Sequence, residues 1–155
     1  MTTKSLNFPV VIFGTEPSAT FDISVDEASL LTTTPLTLKR GIYYDSIIVD
    51  AQGCSYRVES VRRLQQTPVQ GFVENLLNTP IKVDMQLMSP TSMELLDFKA
   101  RLTAAFQNQT FAEVWQDAGL DMRDFQSFLD RSNSFNDIIL YLLEKTGSDN
   151  RGIAQ

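Results

Sequence analysis

Two periods of apolar residues divide this chain of 155 residues. As far as Leu87 the apolar positions recur at every second residue, and from Ser89-Pro90 onward they recur at every 3.6. In the first half, Phe21, Ile23 and Val25 alternate with Asp22 and Ser24, while Ile81, Val83, Met85 and Leu87 alternate with Lys82, Asp84 and Gln86. Both patterns predict half-buried strands. Phe8 to Phe13 reads as a short strand with Pro9 at its start or on an edge, because proline donates no ladder hydrogen bond. The stretch from Leu36 to Leu64 predicts a β-hairpin. Its outgoing strand, Ile42–Val49, places Tyr43, Ile47 and Val49 on one face and Tyr44 and Ile48 on the other, as expected of a central strand covered on both sides. Asp50-Ala51-Gln52-Gly53 is the turn, closed by Gly53 at positive φ. In the return strand Tyr56 and Val58 alternate with Arg57 and Glu59. Gly14–Thr20, with Pro17, reads as a loop. Asp26–Leu31 reads as one helical turn or a loop, ended by Thr32–Pro35. Gln65–Asn78 stays open between a helical turn at Val73–Leu77 and a crossover loop.

Beyond Pro90, Thr91 with Glu94 predicts a capping box opening a helix over Ser92–Gln107, with Leu95, Leu102, Ala105 and Phe106 as its apolar stripe. Phe111, Val114, Trp115 and Ala118 mark a second helix stopped by Gly119. Asp121 caps a third, with Phe125, Phe128 and Leu129 inward. Ser134 with Asp137 caps a fourth, which runs through Phe135, Ile138, Ile139, Leu142 and Leu143 to Lys145 and ends at Gly147; residues 148–155 read as a frayed tail. Strands followed by helices, without βαβ alternation, predict an α+β fold: a twisted, mostly antiparallel sheet of roughly four to five strands with packed C-terminal helices. We expect one domain over 1–155, with a strand-rich half at 1–89 and a helical half at 90–147.

Charge changes this picture. The chain nets −6, and it has no histidine and a single cysteine. Between Glu113 and Asp137 six acids face two bases, so that window alone nets −4. An acidic surface repels nucleic acid and attracts basic partners. No signal-peptide core or apolar run of about 20 residues is present, which predicts a cytoplasmic chain with no membrane contact.

Without histidine, Ser-His and Cys-His nucleophilic pairs are excluded, as is the commonest metal ligand. Cys54 reads as a filler at the start of a strand, with Arg57 on the opposite face. Asp45 and Asp50 bracket a strand at an odd separation, so they do not converge as a catalytic carboxylate pair. Asp121 and Asp124 read as a helix cap and its neighbour before they read as metal ligands. No glycine-rich phosphate loop or calcium loop occurs. The aromatics Phe111, Trp115, Phe125, Phe128 and Phe135, at helical spacing, read as core. We therefore expect no catalytic residue, cofactor or metal. The partner-binding candidates are Glu113, Asp117, Asp121, Asp124 and Asp130, facing a basic protein, with the basic hairpin face of Arg57, Arg62 and Arg63 as the other candidate surface. Oligomeric state is open at this point.

The segment Arg40–Val58 resembles hairpins of small bacterial α+β proteins, among them the immunity proteins of polymorphic and contact-dependent toxin systems. That resemblance implies a stoichiometric antitoxin that neutralises a cognate toxin domain, with basic nucleases among the candidate toxins. The alternatives are a structural or adaptor protein of a phage or secretion system that works as an oligomer, and a histidine-free enzyme using carboxylates.

Overall fold

The computed structural model describes residues 2–15, 20–41, 43–64 and 67–146. The loop positions 16–19, Ile42, residues 65–66, the expected stop at Gly147 and the tail 148–155 lie outside the described residues. The fold is α+β. A 3-10 turn at Thr3–Ser5 precedes β1 (Val10–Phe13) and β2 (Phe21–Ser24). Next come α1 (Glu27–Leu30), β3 (Thr32–Thr33), α2 (Pro35–Lys39), β4 (Ile47–Val49) and β5 (Cys54–Arg63). Then α3 (Pro68–Leu77), β6 (Ile81–Leu87) and β7 (Thr91–Ser92) lead into α4 (Leu95–Ala105), α5 (Gln109–Asp117), α6 (Met122–Arg131) and α7 (Phe135–Lys145).

The strands form one antiparallel sheet in the order β2-β1-β4-β5-β6-β3, with β7 added against β5. β5 is its spine. Its first half pairs Ser55–Arg57 with Val49–Ile47 of β4, and its second half pairs Val58–Arg63 with Leu87–Val83 of β6. A register shift between Val58 and Ser60 leaves Glu59 as the extra residue. Such bulges bend and twist a strand, so β5 can serve two neighbours along its length and the sheet curls.

β1 is buried throughout, and its alternate side chains feed two cores. Val11 and Phe13, with Phe21, Ile23 and Val49, face the C-terminal helices and pack on Phe98, Leu102, Trp115, Phe125, Ile139 and Leu142. Val10 and Ile12 face the other way, into a core built from Leu6, Leu30, Ile48, Tyr56, Val58, Met85 and Leu87. Pro9 opens β1 through a cis Phe8–Pro9 bond, and β1 is an inner strand, not an edge. Gly53 takes φ +85, and a Cβ there would sit 2.6 Å from the Phe135 ring, so the hairpin turn lies directly beneath α7.

Several expectations are corrected. Among the described residues the sheet has seven strands, because Thr32–Thr33 and Thr91–Ser92 each add a short one. The hairpin's outgoing strand is only Ile47–Val49. Pro35–Lys39 is helical, with Thr34 as N-cap and Pro35 in the first turn, and Asp45 takes the left-handed conformation that ends strand geometry there. Tyr43 therefore packs with Ile48, not with Ile47 and Val49, and Tyr44 is exposed. The Thr91/Glu94 capping box does not form. Thr91 and Ser92 are drawn onto the edge of β5, and Glu94 caps α4 without a side-chain bond. α4 is consequently shorter than the expected 92–107, and Phe98 is its most deeply buried aromatic. Val114 is half exposed, not inward. Thr67–Asn78 is no crossover loop, since Pro68–Leu77 is a full helix.

Candidate functional site

α3 is built to stand where it does. Thr67 Oγ1 accepts from the Gln70 amide, and Pro68 lacks only an N–H that the first helical turn leaves unused. Asn78, at φ 50, ends the helix in the left-handed region, and its Oδ1 accepts from the Leu36 amide of α2 at 3.0 Å. The polar side chains of α3 turn toward the body of the protein. Glu74 meets Arg63 of β5 at 2.7 Å, Asn75 accepts from the same guanidinium, and Gln70 donates to Glu74.

The apolar side chains of α3 consequently face water. Val69, Phe72 and Leu76 are 76%, 67% and 70% exposed, Val73 and Leu77 lie beside them, and no residue of α3 is buried. Their spacing of i, i+3, i+4 and i+7 is that of a helix face made to be covered. In a globular protein that face normally points at the core; here the amphipathic helix is mounted the other way round. Leu36 of α2 and Leu64, just past β5, are half exposed as well. Beside the apolar face a groove of about 530 Å³ runs between α2 and α3, lined by Leu36, Leu38, Lys39, Arg63, Asn75 and Asn78. This surface was missed in the sequence reading, although Val69, Phe72, Val73 and Leu76 carry its signal.

The five acidic candidates are all exposed. Glu113 and Asp117 lie one turn apart on α5. Asp121 and Asp124 lie at the start of α6, and Asp130 lies near its end, about 9 Å beyond Asp124 at 1.5 Å per residue. Asp121 is committed to structure, accepting from the Arg123 and Asp124 amides. Glu113 and Asp130 each accept from a glutamine one turn earlier. Among the described residues none of the five has a cation within the 4.0 Å of an ion pair. Tyr141 of α7 feels two of them: burial raises its phenol pKa first, and the charges of Asp124 and Asp121 raise it further.

Each arginine of the basic hairpin face has an acidic neighbour. Arg57 lies 3.7 Å from Asp45, Arg62 lies 3.2 Å from Asp84, and Arg63 holds Glu74. Asp50 is fully buried and saturated. Its Oδ2 accepts from the Asn7 amide and the Asn7 side chain, and its Oδ1 accepts from the Gln52 and Cys54 amides, at 2.9–3.2 Å. A carboxylate so occupied has no lone pair aimed at a substrate. Cys54, half-buried, packs beside Tyr56. Among the described residues no group of three or more His, Cys, Asp or Glu side chains is placed to hold a metal ion, and no helix is long and apolar enough to cross a membrane. The chain matches no model of a known protein family, no curated protein and no solved structure.

Proposed function

We propose that this chain is a non-catalytic protein-binding protein that works as an oligomeric structural or adaptor subunit, and that its interaction surface is the outward apolar face of α3. The observation that carries this reading is the reversed mounting of the helix. Its Glu74 and Asn75 are engaged by Arg63, and its stripe of Val69, Phe72, Val73 and Leu76 lies in water. Monomers rarely leave so continuous a patch uncovered. Burying one such side chain is worth about 1.5–3 kcal/mol, so the four of them supply at most roughly 6–12 kcal/mol gross against the cost of association.

The partner that fits is a second copy of the chain. The molecule nets −6, so any strongly charged face would repel itself. α3 carries one charge, Glu74, and Arg63 neutralises it. Two-fold pairing needs a self-complementary patch, and an uncharged helix face meets that condition. Size-exclusion chromatography with light scattering tests this. Phe72→Glu should reduce an associated wild type to a monomer with unchanged circular dichroism, whereas Asp117→Asn with Asp124→Asn should leave the mass unaltered. A Phe72→Glu chain with wild-type mass would remove α3 from the account.

A second reading, an immunity protein that neutralises a basic toxin domain, is favoured by one observation: the exposed acids on α5 and α6 have no ion-pair cation among the described residues. Under that reading Asp117→Lys with Asp124→Lys slows association with the toxin domain at low salt and not at high salt. Asp121 is unsuitable for that experiment, because losing a helix cap costs about 1 kcal/mol by itself.

A further inference from the structure

A second recess, which shares Asn78 with the groove beside α3, lies where β2 and β3 form the two outer edges of the curled sheet. It encloses about 670 Å³ and is lined by Asp22, Thr33, Thr37, Tyr43, Asn78 and Phe111, among others. That volume falls in the range of small-ligand sites, about 300–1,000 Å³. Its polar groups converge. The Tyr43 hydroxyl donates to Thr33 Oγ1 at 3.3 Å, and the Asp22 carboxylate, held by the Ile23 amide at 2.8 Å, is close enough for its charge to act on the Tyr43 phenol. Burial raises the Asp22 carboxyl pKa above its usual value. The described lining contains one carboxylate and no Lys or Arg, and Asp22 has no ion-pair partner among the described residues. A partly desolvated carboxylate without a counter-ion, ringed by hydroxyl acceptors and an aromatic wall, is complementary to a cation with an apolar stem.

We propose that this cavity binds a small organic ammonium ion, a primary amine on a short apolar stem. The ammonium sits against Asp22 and the hydroxyls of Thr33 and Thr37, and the stem lies along Ile12, Tyr43 and Phe111. The test is an amide-shift titration of the full chain by NMR with n-hexylammonium chloride, with hexan-1-ol, hexanoate and N-acetyl-lysine amide as comparison probes. Hexylammonium should give saturable shifts at Thr33, Thr37 and Tyr43, and hexanoate should give none there. Asp22→Asn should weaken hexylammonium binding at least about tenfold, a loss of about 1.4 kcal/mol, with the thermal midpoint retained or raised. Equal binding of hexan-1-ol and hexylammonium, or undiminished binding by Asp22→Asn, would show an apolar recess with no ammonium site. Absence of saturable shifts would remove the site altogether. Tighter binding of N-acetyl-lysine amide than of the free amine would overturn the small-molecule assignment.

Discussion

Asp50 joins two parts of the chain that lie 43 residues apart, because one carboxylate serves both the hairpin turn and the N-terminal segment at Asn7. Asp50→Ala leaves four N–H groups without their acceptor at a buried position. Since each unmet buried donor costs about 1–3 kcal/mol, a loss of at least about 3 kcal/mol should appear in urea denaturation. Arg57→Gln removes only the half-exposed ion pair with Asp45 and should cost about 0–1 kcal/mol in the same experiment. Asp22 makes the opposite prediction. Its folded-state pKa is raised by burial, so the native state holds the proton more tightly than the unfolded chain. Its stabilising contribution is present below the ordinary carboxyl value of 3.8 and is lost as pH rises through the raised folded value. Asp22→Asn should therefore raise the urea midpoint at pH 7, and the gain should shrink as pH falls toward 3.8. The turn role of Asp50 was legible in the sequence, as was the positive φ of Gly53. The bond to Asn7 was not, because a contact over such a separation leaves no local pattern. The ring of Phe135 over Gly53 was hidden for the same reason.

Among the elements, those whose pattern alone decides their structure came out as read. β6 alternates as expected, and Asp121 and Ser134 cap α6 and α7. The failures occur where a second force acted on the same residues. Thr91 and Ser92 have the chemistry of a helix start, but the free edge of β5 offered their backbone a ladder. α3 has a helix's spacing, yet Pro68 and Gly71 look like loop residues until Thr67 is recognised as the cap. The consequence for stability is specific. Phe72→Ser removes a side chain that is two-thirds exposed in the monomer, so at a concentration where the chain is monomeric its unfolding free energy should change by less than about 1 kcal/mol. Phe98→Ala, which empties a site between the sheet and α4, should cost about 3–5 kcal/mol by the same denaturation measurement.

At the scale of the whole molecule, one curled sheet supports two cores, and the four C-terminal helices cover only one of its faces. The apolar stripes of α4 to α7 are completed by Val11, Phe13, Phe21 and Val49, which belong to the strands. A fragment 91–155 should therefore show much weaker helical circular dichroism per residue than the intact chain; native-like helicity in the fragment would mean that the helices need no sheet. The same division leaves α3 outside both cores, held by its polar side and open on its apolar side. Sedimentation equilibrium of the wild-type chain, over a wide concentration range and at moderate salt, reads whether a second copy covers that apolar side. The account predicts a mass that rises with concentration from 17.4 kDa toward twice that value, and that stays at 17.4 kDa for Phe72→Glu with Leu76→Glu. A wild-type chain that remains at 17.4 kDa throughout would contradict it.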